Sequence, residues 1–406
     1  MLFSDMQSEV TSPTERSVAL APANSLTRAT FASFVLIGIA NIVLGPLLPT
    51  LSARWSLNYA QAGGLFTAQY IASMLAVAFS GMIVSWRGFR FAMQTGIGLI
   101  AAGSALLLVG PLWLGIAALA ASGAGLGIAI APGNLLIAEL NPERRAAALN
   151  RLNFFWSTGA VSCPFLVAAS VKLHRVSLFL AILAGLLVLV GLGIRLLPAP
   201  FPESAPAPNG EKLWSLIRRR LGPFVILAIL FFVYVGTENS FGGWVASFAK
   251  SLGKLSPALA VITPSFFYAS LMLGRWLAPF LLESLTPVRL VNAGLLLACA
   301  GAAGLLASHG LAGVILSACA TGLGLSSVYP ITISVLSEEF GSGAPRVAAV
   351  MFVLSNLGGA SLPWVVGIAS NGSGTLKTGL LVPLFGCGLM FILYIAGWSR
   401  VQTKRG

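Results

Sequence analysis

Glu238 is where chemistry is most readily argued in this chain. It is the one acid near the middle of a long apolar stretch, 223–249. A carboxylate at membrane depth costs about 2.5 to 3.5 kcal/mol even on the lenient insertion scale. Its retention points to work: exchanging protons, accepting hydrogen bonds from solute hydroxyls, or holding a cation. The bland alternative is a protonated or paired glutamate that joins helices, and the sequence places no basic residue at the same depth to pair with it. Asn41, Gln69, Asn153, Asn239 and Asn356 fall inside other apolar stretches, where unpaired polar groups are expensive, so they are expected to line a cavity. Asn41 and Asn356 read equally well as interhelical hydrogen-bonding residues. Helical spacing puts Asn153, Trp156, Ser157 and Ala160 on one face, and Tyr234, Glu238, Phe241 and Gly242 on another. Amides and a carboxylate beside rings suit a pyranose, whose hydroxyls need hydrogen bonds while its C–H face stacks. Trp156, Trp244, Tyr70, Tyr268, Tyr329 and Trp364 are the candidate platforms, taken as a group.

The elements that position these residues follow from composition. Of 406 residues, 57% are hydrophobic and 9% charged, and mean hydropathy is +0.91. Soluble domains carry about 25% charged residues, so most of this surface faces lipid. Apolar segments long enough to cross a bilayer fall at about 29–51, 58–84, 91–111, 113–138, 146–170 and 177–197, then 223–249, 257–282, 288–308, 311–336, 345–369 and 376–398. The expected fold is all-α and integral to the membrane, with twelve spans. Spans 3, 6, 9 and 12 lack polar residues near their centres and are expected to face lipid.

The net charge of +13 has a topological origin. Among loops and tails, only Arg54, Lys172, Arg175, Lys250, Lys254 and Lys377 fall on one side, and the rest of the 24 Lys and Arg fall on the other. Positive residues collect on the cytoplasmic side, so both termini are expected there, and nucleic acid is not an expected partner. The expected organisation is a disordered cytoplasmic tail at 1–28, a six-helix bundle at 29–197, a Pro- and Ala-rich linker at 198–222, a second bundle at 223–399 and a tail at 400–406. Within the linker, Leu213, Trp214, Leu216 and Ile217 with Arg218 to Arg220 read either as a membrane-surface segment or as solvated chain. Cys163, Cys299, Cys319 and Cys387 show no disulfide or zinc spacing, and no metal or cofactor is expected.

The two bundles repeat at an offset of about 198 residues. Gly38, Asn41 and Gly45 match Gly236, Asn239 and Gly243, and Tyr70 and Met74 match Tyr268 and Met272. In span 4, Gly125 and Gly127 match Gly322 and Gly324; in span 5, Gly159 and Pro164 match Gly358 and Pro363. Two six-span halves related by an axis along the membrane normal place a solute site at the midplane between them.

The loop after span 2, Gly81-Met-Ile-Val-Ser-Trp-Arg-Gly88-Phe-Arg90, resembles the Gly-x-x-x-Asp-Arg-x-Gly-x-Arg signature of the major facilitator superfamily, with Ser85 and Trp86 replacing the acid and first base. A diverged counterpart begins at Gly274-Arg275. Gly125 to Pro164, with Asn134, Glu139, Arg144, Arg145 and Asn153, and span 7 from Tyr234 to Trp244 resemble the fucose:proton symporter branch and its sodium-dependent-glucose-transporter-like relatives. The resemblance implies a major facilitator fold and gating by Gly81, Gly88, Arg90, Glu139, Arg144, Arg145 and Arg275. Glu139 and the pair Glu338 and Glu339 are expected near Arg144, Arg145 and Arg289 as charge locks. The acids this branch carries in spans 1 and 4 are replaced by Gly45 and Ile130, so fucose chemistry is not carried over.

The leading expectation is a secondary transporter of a small neutral polar solute, a sugar or polyol, working as a monomer in the plasma membrane by alternating access, with proton or sodium coupling through Glu238. A multidrug or amphiphile antiporter of the same fold is the second reading, and a non-transporting membrane sensor the third. No Gly-x-x-x-x-Gly-Lys-Ser/Thr loop supports a pump. His174 and His309 fall in outer loops without a catalytic cluster, so no enzyme is expected.

Overall fold

Prolines and glycines set where the apolar segments bend, and thereby how many times the chain crosses. The computed structural model describes residues 13–197, 213–253 and 255–402. The start of the expected N-terminal tail, the linker stretch 198–212 and the last four residues lie outside the described residues. Among the described residues ten apolar segments are long enough to cross a membrane, and two of these double back. Tyr59–Leu106 turns at Gly88, where φ is +78°, a backbone state that glycine adopts without penalty. Leu311–Ser373 turns at Gly341, where φ is +50°. The result is the expected twelve crossings.

Span 1 is Pro13–Ile42 continued as Leu44–Arg54. It begins ahead of the expected boundary, because Pro13 sits at a helix start, where its missing N–H is no loss; its apolar window opens at Ser25. Spans 2 and 3 are the limbs of Tyr59–Leu106, followed by span 4 (Leu112–Leu140), span 5 (Arg145–Lys172) and span 6 (Val176–Leu196). After the short helix Leu213–Arg219 come span 7 (Leu221–Ser251), span 8 (Pro257–Val261 and Thr263–Leu282) and span 9 (Pro287–Ala307). Span 10 (Leu311–Leu325 and Val328–Phe340), span 11 (Ala344–Ser373) and span 12 (Leu376–Gly379 and Leu381–Gln402) complete the chain. The interruptions have local causes. Pro264 has no N–H for the Ala260 carbonyl, and Thr263 Oγ1 donates to that carbonyl instead, at 2.7 Å. Such replacement lets a membrane helix bend without leaving a polar group bare.

Glycines set how the helices of each half cross, and they do so twice over. A Cβ on Gly38 would meet the Trp156 carbonyl of span 5, and one on Gly159 would meet the Val35 carbonyl of span 1. In the second half the same crossing joins spans 7 and 11: a Cβ on Gly236 would meet Gly358, and one on Gly358 would meet Phe232. Small residues allow this close approach, on which membrane helix packing depends. In span 4 the sequence register needs correction. Gly123 abuts Gln69 as Gly322 abuts Phe267, and Gly125 abuts Gly96 as Gly324 abuts Gly294. The true mates are therefore Gly123 with Gly322 and Gly125 with Gly324, two residues from the expected register. Three alternating glycines, 123, 125 and 127, can be laid over a pair in two ways, and only the helix partners decide. Exposed leucines, isoleucines and phenylalanines stud spans 6 and 12, in keeping with their expected lipid-facing position.

Candidate functional site

Five of the residues singled out from sequence converge on one small cavity between the halves. Asn41 and Gly45 from span 1, Phe66, Gln69 and Tyr70 from span 2, Asn239, Gly242 and Gly243 from span 7 and Tyr268 from span 8 line it. Asn41 and Asn239 are repeat mates, as are Tyr70 and Tyr268 and Gly45 and Gly243, so the cavity sits where the axis relating the halves must pass. Its volume of about 10 Å³ is that of a single water. The Tyr70 hydroxyl donates to Asn239 Oδ1 across the two halves, while the Asn239 amide donates back along its own helix to Val235 O at 2.8 Å. Gln69 is 2% exposed, and its Oε1 has no hydrogen-bond partner.

Next to this cavity lies a charged network that the sequence reading did not anticipate. Arg275 was expected at the terminal face as part of a charge lock. Its side chain instead reaches the Glu238 carboxylate of span 7, with Nη2 3.9 Å from Glu238 Oε2 and donating to the Tyr234 hydroxyl at 3.3 Å. The expectation that no base shares Glu238's depth is therefore wrong. It located Arg275 by its backbone, whereas a long, flexible side chain can carry the head well away from its own Cα. Tyr234 and Tyr329 lie with ring centroids 5.4 Å apart, and Phe231 packs edge-on against both Tyr329 and Phe352. Tyr70, Tyr234, Tyr268 and Tyr329 are all within electrostatic reach of the Glu238 carboxylate.

On the side away from the termini, the halves close over the cavity. Thr67 Oγ1 of span 2 donates to Ala360 O of span 11 at 2.8 Å, and Ser265 Oγ of span 8 donates to Val161 O of span 5 at 2.9 Å. These bonds are repeat mates, one in each direction. Thr67 and Ser265 were missed by the sequence reading, although the repeat offset applied to hydroxyl residues would have paired them. Trp244, expected as a solute platform, is 1% exposed and packed in this closure, donating from Nε1 to Pro363 O at 2.9 Å. Tyr59 and Phe66 lie against its ring, so the ring face expected to meet a solute is covered by the protein's own side chains. Beyond it a depression of about 400 Å³ is lined by residues including Pro49, Tyr59, Ser247 and Lys250. Toward the termini, by contrast, Trp156, Glu238, Arg275, Tyr329 and Asn356 keep part of their surface exposed.

The other expected residues are placed apart from the cavity. Asn153 is exposed and donates to Leu149 O, and Asn356 donates to Phe352 O, each a turn back on its own helix. Gly81 is exposed, and Gly88 makes the turn between spans 2 and 3. Arg90 donates to the carbonyls of Arg195 and Leu197, closing the end of span 6 within one half. Arg145 donates to Ala138 O and lies within electrostatic reach of Glu139; Arg144 is exposed. Glu339, expected near Arg144, Arg145 or Arg289, pairs with Arg220 at 2.5 Å, because the helix Leu213–Arg219 brings the linker's basic end beneath span 10.

The chain belongs to the major facilitator superfamily, whose family model matches residues 30–363. An uncharacterised MFS-type transporter of Yersinia pestis is 24% identical over 390 residues, covering 95% of this chain and 98% of that protein. Among solved structures, the E. coli fucose:proton symporter FucP superposes with a TM-score of 0.64 at 21% identity, over 91% of this chain and 97% of its own. The nucleoside transporter NupG superposes at 0.75 with 16% identity, over 92% and 99%. The protein is a multi-pass membrane transporter of the secondary type, in an all-α fold of two pseudo-symmetric six-helix halves.

Proposed function

We propose that the cavity on the repeat axis and the Glu238 network beside it form the transport site for a sugar or polyol, moved by alternating access. The observation that carries this reading is the convergence of Asn41, Gln69, Tyr70, Asn239 and Tyr268 from both halves on one cavity. Amide and phenol groups there can serve solute hydroxyls, and the rings offer faces for C–H surface. With both termini cytoplasmic, the closure at Thr67, Ser265 and Trp244 is the extracellular gate, shut, and the conformation is inward-open. Opening that gate separates the Tyr70–Asn239 bond and widens the one-water cavity into a solute site. Glu238 is the coupling group.

The competing antiporter of cationic amphiphiles has the aromatic cluster of Tyr234, Tyr329, Phe231 and Phe352 in its favour. Arg275 weighs against it, since a guanidinium beside Glu238 repels a second cation, and the same holds for sodium. Thermal unfolding of the detergent-purified protein separates the readings, because a ligand that binds only the folded state raises its melting temperature. Hexoses, pentoses, polyols and their acids are screened beside cationic amphiphiles. Stabilisation by members of one sugar family is expected; stabilisation by cationic amphiphiles alone overturns the proposal.

A further inference from the structure

The Glu238–Arg275 pair is incompletely satisfied. At 3.9 Å the two heads attract without a hydrogen bond. The guanidinium has five N–H donors, of which one Nη2 hydrogen goes to Tyr234, while Nε has no partner. Among the described residues, the ionisable groups that face Glu238 are Tyr234 on its own span, Tyr70 from span 2, Tyr268 and Arg275 from span 8, and Tyr329 from span 10. The phenols contribute hydrogen-bonding groups, so charge balance in the site rests on one acid and one base.

That balance constrains what the site carries. If Glu238 takes up a coupling proton, Arg275 is left as an uncompensated cation at membrane depth, a state that is strongly unfavourable. A neutral sugar leaves it so. A carboxylate on the solute cancels it and offers the two oxygens that a guanidinium binds best. Conversely, while Glu238 is ionised, an anion meets a site already neutral and gains no net attraction to offset the cost of leaving water. Proton and anion therefore enter together. The empty site (Glu238 ionised, Arg275 charged) and the loaded site (Glu238 protonated, Arg275 charged, solute carboxylate) then both have zero net charge, which lets both cross the occluded state. Resting on the transport-site reading above, we infer that the solute is a hydroxylated monocarboxylate of sugar size, an aldonate or uronate, carried with one proton on Glu238. This narrows the sugar reading to its acids, on the charge that Arg275 brings to the site.

The test uses matched pairs that differ in the carboxylate, D-gluconate with sorbitol and D-glucuronate with D-glucose, against the full-length protein in proteoliposomes and in detergent. The acid of at least one pair should stabilise the purified protein, more at pH 6 than at pH 8, while its neutral partner does so at least tenfold more weakly in concentration. Uptake of that labelled acid should follow an imposed pH gradient and be unchanged by an imposed membrane potential, since one proton and one carboxylate sum to zero. Arg275→Gln should lose the preference for the acid. The double variant Glu238→Gln with Arg275→Gln removes both charges, and so tests the same loss in a protein without a stranded ion. Neutral partners that bind as well as the acids overturn the inference while leaving the sugar reading standing. Failure of every sugar, polyol and acid, with binding of cationic amphiphiles, overturns both. Uptake of the acid that responds to membrane potential overturns the one-proton balance.

Discussion

The two halves share a backbone design and differ in chemistry. Span 1 crosses span 5 at Gly38 and Gly159 as span 7 crosses span 11 at Gly236 and Gly358. Thr67 bonds Ala360 as Ser265 bonds Val161. The charged network has no such mate. At the positions repeating Tyr234, Glu238, Arg275 and Tyr329, the first half carries Leu36, Ala40, Val77 and Ile130. The repeated features are the crossings and the closure that join the two halves, whereas the acid–base pair occurs in one copy, in the second half, beside a cavity that both halves line.

Substitutions test this contrast in order of expected effect. Gly159→Val and Gly358→Val should be equally harmful, each costing about 3 kcal/mol, the upper end for overpacking, as read by thermal unfolding in detergent. Damage confined to one half would mean the crossings are not equivalent. Arg275→Gln should cost about 3 kcal/mol, the low end for breaking a buried pair, because Glu238 and Arg275 keep 14% and 24% of their side chains exposed. Adding Glu238→Gln should restore most of that loss, and Val77→Ala at the repeat position should cost about 1 kcal/mol or less, as a small apolar trim. A double variant no more stable than the single one would mean that the two charges do not compensate each other. The gate bonds are the smallest effect. Thr67→Val and Ser265→Ala should each weaken closure by about 0.6 kcal/mol, the mean for a hydrogen bond between membrane helices, which is about a threefold shift. Labelling from the outer side of a cysteine placed at Asn41, in the cavity beneath the closure, should accelerate by that factor in both. A clear effect in only one would break the symmetry of the gate.

Hydropathy, charge asymmetry and the glycine repeat made the twelve spans and two halves legible, because these signals are properties of single helices. Asn41, Gln69, Tyr70, Asn239 and Tyr268 were legible for the same reason, each being polar or aromatic at membrane depth. What sequence did not yield depends on side-chain reach and on partners from other helices. Arg275 was assigned by where its backbone lies, not by where its head goes. Trp244 has the composition of a solute platform, yet a carbonyl of span 11 takes its N–H. The span 4 register was ambiguous until Gln69 and Phe267 were seen opposite Gly123 and Gly322.

The central claim is that Glu238, without a mate in the first half, couples solute movement to protons. It is tested most directly by comparing accumulation and exchange in the same proteoliposomes, wild type against Glu238→Gln, using whichever solute stabilises the purified protein. The wild type should concentrate labelled solute against its gradient when a pH gradient is imposed, while Glu238→Gln should exchange solute across the membrane and concentrate none. A Glu238→Gln protein that accumulates solute as the wild type does would contradict the account.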